Sequence, residues 1–129
     1  MKTKLIVSLG AAALVLATAA VAADPIKGTP GNDTIAGTAG NDVILALAGD
    51  DVVTADAGND RMWGGAGADK LYGGAGNGRL HALAADKALD VLDCGEGKDI
   101  AVVRAGEEVQ LISCERVITV TASSADESA

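Results

Sequence analysis

Residues 28–81, cut every nine residues, read GTPGNDTIA, GTAGNDVIL, ALAGDDVVT, ADAGNDRMW, GGAGADKLY and GGAGNGRLH. Three columns hold through this register. The fourth position is always glycine: Gly31, Gly40, Gly49, Gly58, Gly67 and Gly76. The sixth is aspartate in five units of six, at Asp33, Asp42, Asp51, Asp60 and Asp69, with Gly78 the exception. The eighth is a larger apolar residue throughout: Ile35, Ile44, Val53, Met62, Leu71 and Leu80. Glycine at this density excludes a helix, because each one in a helix interior costs up to about 1 kcal/mol.

Each column has a physical reading. Glycine tolerates positive φ without steric cost and asparagine is among the next most tolerant residues, so Gly followed by Asn or Asp describes a tight turn. The last three residues of each unit alternate as a short strand with its middle side chain turned inward. Such a unit cannot bury one apolar residue alone, whereas stacked copies share a continuous narrow core. Two units per coil place successive strands on opposite faces and stack units 18 residues apart. The expected fold is therefore all-β, a parallel β-roll of about six nonapeptide repeats with a small C-terminal β cap.

That stacking sets Asp33, Asp51 and Asp69 along one edge and Asp42 and Asp60 along the other. Like charges held this close are unfavourable unless compensated. A lone aspartate reads equally well as a solvated turn-former, but five at a fixed period point to a hard cation shared by carboxylates and turn carbonyls. Calcium accepts 6–8 oxygens in flexible geometry, magnesium demands a stricter octahedron, and zinc wants His or Cys. The pattern selects calcium.

The units resemble the RTX, or hemolysin-type, nonapeptide repeat G-G-x-G-x-D-x-U-x, and GGAGADKLY at residues 64–72 matches it at every defined position. The resemblance implies a parallel β-roll holding Ca2+ between stacked turns. It implies as ligands the side chains of Asp33, Asp42, Asp51, Asp60 and Asp69. It adds the turn backbone at Gly28, Gly31, Gly37, Gly40, Gly49, Gly58, Gly64 and Gly67. Three fully formed sites are expected between stacked pairs. Ala46-Leu47 and Ala55-Asp56 stand where leading glycines belong, and Gly78 removes a carboxylate, so the sites beside them are expected to be partial.

The flanks set the compartment. Lys2 and Lys4 precede an apolar run over residues 5–20, and Val21-Ala22-Ala23 ends it with small residues. Residues 1–23 thus read as a signal peptide cleaved after Ala23 or Ala22, the alternative being a retained membrane anchor. The expected location is extracellular, with no membrane contact after cleavage. Of the 129 residues, 10 are Lys or Arg and 18 are Asp or Glu, for a net charge of −8. Losing Lys2 and Lys4 deepens it to −10, which argues against nucleic acid as a partner.

Beyond the roll (residues 24–93) the register decays. Cys94-Gly95-Glu96-Gly97-Lys98-Asp99 recovers Gly two before Asp, three residues out of phase. Residues 100–104, 109–112 and 117–120 read as short strands of a capping segment over 94–120, and residues 121–129 as a disordered tail. Cys94 and Cys114 are the only cysteines; export makes a disulfide the default and free thiols the alternative.

Catalytic patterns are missing: there is no nucleophile elbow, P-loop or EF-hand spacing. His81, Trp63 and Tyr72 fall at outward strand positions and read as isolated surface groups. The expected function is a secreted calcium-ion-binding protein with no enzymatic activity. The alternative is an adhesion or ligand-binding module, including an ice-binding one using Thr29, Asn32, Thr38 and Asn41, although Leu47 and Asp50 interrupt that row.

Overall fold

The computed structural model describes residues 4–9, 12–17 and 24–121. Eleven strands follow one another after residue 24: β3 (Ile26–Lys27), β4 (Asn32–Ala36), β5 (Val43–Leu45), β6 (Val52–Thr54), β7 (Arg61–Trp63), β8 (Lys70–Tyr72), β9 (Arg79–Ala82), β10 (Asp90–Asp93), β11 (Ile100–Arg104), β12 (Val109–Ile112) and β13 (Arg116–Val120). Even-numbered strands stack in one sheet and odd-numbered strands in the other, every neighbouring pair parallel. The chain therefore winds as a parallel β-roll with two strands and two turns per coil, as the nine-residue period predicts.

The eighth position of each unit supplies the core. Register aligns Ile35, Val53, Leu71 and Leu92 in one inward column, and Ile26, Ile44, Met62, Leu80 and Ala101 in the other. All of these are buried. The first position also turns inward, which explains Ala46 and Ala55: each replaces a glycine with a methyl group that the core encloses completely. The expected weakening at these two units is not seen in the backbone. Leu47 and Asp56, at the second position, adopt φ of 86° and 77°, matching 93° and 77° at Gly65 and Gly74. The stack imposes a left-handed turn on residues that resist it intrinsically.

Turn-to-turn approach is where glycine is required. Gly67 has φ +115°, and a Cβ there would lie 2.1 Å from the carbonyl oxygen of Gly49 in the preceding coil. Gly106 has φ +87°, but the nearest atom to its Cβ would be Lys87 Nζ at 4.0 Å. Gly106→Ala is therefore expected to cost about 1 kcal/mol for the backbone conformation. Gly67→Ala must in addition force two coils apart, and its thermal midpoint should fall well below that of Gly106→Ala. Equal midpoints would show that the turns are not packed this closely.

The segment expected as a cap continues the roll. β10 to β13 extend both sheets in parallel, and their coil covers Leu92 and Ala101 completely. The next inward residues, Leu111 and Val117, remain 37% and 44% exposed at the open end. Cys94 and Cys114 are disulfide-bonded across 20 residues of sequence, with Cys94 at the buried first position of its unit. A loop of that length stabilises by about 3 kcal/mol in the chain-entropy model. Reduction of the calcium-loaded protein should lower its urea midpoint accordingly, and an unchanged midpoint would show the bridge to be energetically idle.

Within the segment read as a signal peptide, β1 (Lys4–Leu9) and β2 (Ala12–Ala17) pair antiparallel, and β2 adds in parallel to the free edge of β4. Residues 18–23, with the expected cleavage point, and residues 122–129 of the expected tail lie outside the described residues. Among the described residues no helix is long and apolar enough to cross a membrane.

Candidate metal centre

The sixth-position aspartates are brought together as the period predicts. Asp51 Oδ1 accepts a hydrogen bond from the backbone N–H of Asp33 (2.7 Å), and Asp69 Oδ1 accepts one from that of Asp51 (3.0 Å). On the other edge Asp60 Oδ1 accepts from the N–H of Asp42 (2.8 Å). Each carboxylate is thus fixed by the coil before it, with one oxygen used and one left over.

Two further aspartates belong to these ladders. Asp90 Oδ1 accepts from the N–H of Asp69 (2.9 Å), and Asp99 Oδ1 from that of Gly78 (2.6 Å), each 21 residues along rather than 18. Three extra residues in the turn before β10 shift the register, so a strict nine-residue ruler passes over both. Gly97 two residues before Asp99 was a usable signal; before Asp90 the corresponding residue is Ala88, and only strand pairing reveals its place.

The remaining oxygens define the chemistry. Oδ2 of Asp51, Asp60, Asp69 and Asp99 is buried without any hydrogen-bond partner. Burial of an unpaired carboxylate oxygen costs several kcal/mol unless a proton or a cation compensates. Asp33 and Asp42, first in each ladder, differ: the backbone N–H and hydroxyl of Thr29 bond Asp33, and those of Thr38 bond Asp42. Threonine at the second position thus closes the first turn of each edge.

Carbonyl oxygens approach the first aspartate of each edge. A Cβ built on Gly28 would sit 2.4 Å from Ala46 O and 2.5 Å from Asp33 Oδ2. One on Gly37 would meet Ala55 O at 2.5 Å and Asp42 Oδ2 at 2.8 Å. Glycine leaves open a cradle lined by one carboxylate and one carbonyl oxygen from adjacent coils. Among the described residues no three His, Cys, Asp or Glu side chains converge on a point, so a cation here must draw on the backbone as well. An all-oxygen set mixing carboxylates and carbonyls suits calcium. Zinc lacks its donors, since both cysteines are oxidised.

The sequence that builds this geometry matches a known repeat. The RTX calcium-binding nonapeptide repeat matches in four copies, over residues 27–62 and 46–80. Residues 27–80 thus match the RTX repeat. No curated protein and no solved structure matches the chain. The RTX match ends before Asp90 and Asp99, which the ladder nonetheless places in the same structural position.

Without a cation, burial raises the pKa of the ladder carboxyls. Asp69 is pushed up to about 8, Asp51 to about 7, and Asp60 and Asp90 to about 6, first by desolvation and then by neighbouring acids, against the bonds from backbone N–H groups. Asp99 is raised for the same first reason. In the unfolded chain such groups titrate near about 4. Between those limits the folded state binds more protons than the unfolded state, so its stability falls as pH rises. Protein stripped of calcium on a chelating resin should therefore show more β-structure at pH 5 than at pH 8. Saturating calcium should reverse that order, because the cation replaces the protons. A metal-free spectrum independent of pH would mean that the carboxyls are solvated.

Proposed function

We propose that this chain is an exported calcium-binding protein whose roll is assembled by the cations it holds. The observation that carries the reading is the set of four buried Oδ2 atoms without partners. Calcium between stacked turns would give each an electrostatic partner and supply the compensation that the like charges need. The side chains of Asp51, Asp60 and Asp69 are the central ligands, with turn carbonyls completing the shell. Asp33 and Asp42 serve the first coil of each edge, and Asp90 and Asp99 extend the ladders beyond the matched repeats.

Export follows from the basic and apolar N-terminal segment and accords with the disulfide. In this reading the cytosol, low in calcium, keeps the chain unfolded and transportable, and the outside folds it. No catalytic role is assigned. The test is calorimetric titration of the metal-free protein with CaCl2. Binding of several equivalents, coupled to gain of β-structure, is expected. Heat of binding for fewer than two ions, or magnesium binding as tightly, would defeat the proposal.

A further inference from the structure

The two edges of the roll are built by the same repeat yet differ in chemistry at the fifth position. One edge carries Asn32, Asp50, Ala68 and the loop residue Asp86, whose acceptor oxygens take the backbone N–H of Asp50, Ala68 and Gly67. The other carries Asn41, Asn59, Asn77 and Lys98 in the corresponding places. There Asn41 Oδ1 accepts from Asn59 N–H (2.7 Å), Asn59 Oδ1 from Asn77 N–H (2.9 Å), and Asn77 Oδ1 from Lys98 N–H (2.9 Å). Because each amide oxygen is engaged along the ladder, each NH2 group is left as an outward donor.

Beside this ladder runs the seventh-position column, where Arg61 and Arg79 are direct cross-strand partners. Both are exposed, and neither forms an ion pair among the described residues. Like charges so placed destabilise a sheet unless something lies across them. Arg61, Arg79, Lys98 and the three asparagines line one open groove of about 520 Å3. Gly78 stands in the carboxylate column in place of an aspartate, and the Asp99 carboxylate one coil on accepts its N–H. Asp42 and Asp60 also line the groove, and the inference rests on the calcium-loaded roll proposed above, in which the cation offsets their charge.

We infer that this groove binds an acidic polysaccharide, through its carboxylate or sulfate groups, when the roll is loaded with calcium. The donors recur once per coil, about 4.8 Å apart, along four consecutive coils, which fits a polymer running along the groove better than a compact ligand. The column of neutral amides ends at the Lys98 ammonium and lies beside the paired guanidinium groups, so hydrogen-bond donors and positive charge face the groove together. Nucleic acid fits poorly. The groove offers no aromatic face for a base, and the one tryptophan is occupied, Trp63 stacking on His81 with ring centroids 4.4 Å apart and planes at 8°.

Affinity electrophoresis of the calcium-loaded protein through gels holding dextran sulfate, carboxymethyl dextran or unmodified dextran tests the inference. Retardation by the two charged polymers and not by plain dextran is expected, weakening as salt rises. The double variant R61Q/R79Q should lose at least about tenfold in affinity, with calcium uptake and β-spectrum unchanged because both side chains are exposed. K98Q should lose less. K70Q, on the opposite sheet, should bind as the parent does. Unaltered binding by R61Q/R79Q, an equal loss in K70Q, or stronger retention by single-stranded DNA or poly-glutamate would overturn the proposal.

Discussion

Chelation of calcium should abolish the β-sheet circular dichroism of this protein at pH 7.5, and added CaCl2 should restore it. The roll has a thin core: its buried apolar residues are aliphatic, Ala, Met and one disulfide cysteine, and Asp33, Asp51, Asp60, Asp69, Asp90 and Asp99 are buried beside them. Adjacent ladder aspartates form four stacked pairs, 33/51, 51/69, 69/90 and 42/60. With ~1 mM calcium and a Kd of ~0.1–1 mM per site, linkage gives roughly 0.4–1.4 kcal/mol for each. Four such sites together contribute roughly 2–6 kcal/mol, comparable to the whole stability of a small domain. A β-spectrum unchanged in excess EDTA would reject the cation as the assembling agent.

Asp51→Asn should reverse sign with calcium. Asp51 takes part in two of the four pairs, through its carboxylate to Asp33 and its N–H to Asp69. The isosteric amide keeps an acceptor for Asp33 N–H but brings no charge to the cation. In saturating calcium the variant should lose two sites and roughly 1–3 kcal/mol of stability. In metal-free buffer at pH 8 it should equal or exceed the parent, because burial, which raises Asp51 to about 7, no longer opposes an ionised group. Asp51→Ala also strands the Asp33 N–H, a further cost of about 1–3 kcal/mol, and should be weaker in both buffers. Urea midpoints of the three proteins in calcium, and the β-sheet circular dichroism each retains in metal-free buffer, decide the matter. A variant destabilised equally in both conditions would make Asp51 a turn residue and nothing more.

Residues 28–81 disclosed their fold because strand, turn and inward position repeat without interruption. The period alone gives the stacking of Asp33 on Asp51 and of Asp42 on Asp60. It failed where the period itself changes, at the longer turn before Asp90, since equivalence there is set by strand pairing and not by counting. The expectation of partial sites beside Leu47 and Asp56 rests on their departure from the repeat's leading glycines, and the stacked coils give both residues the backbone angles that Gly65 and Gly74 take. Trp63 and His81 read as isolated surface groups in sequence because they stand eighteen residues apart, yet strand pairing makes them neighbours and their rings stack. His81 is consequently no open surface group: burial first, and then the charges of Arg79 and Arg61, lower it to about 4. The different chemistry of the two edges was also written in the fifth position, but it becomes visible only when alternate units are read as separate columns.

The longer turn before β10 has a consequence of its own. Its extra residues sit at the rim, with Asp86 and Lys87 exposed and Lys87 reaching Glu107 (3.7 Å), while the carboxylates beneath keep their alignment. The lattice thus registers coils and is indifferent to the slack between them. Length can be added to a rim turn without disturbing cation spacing, much as a bound book accepts a wider margin without losing its stitching. Such turns are natural insertion points for a peptide tag or a new recognition loop.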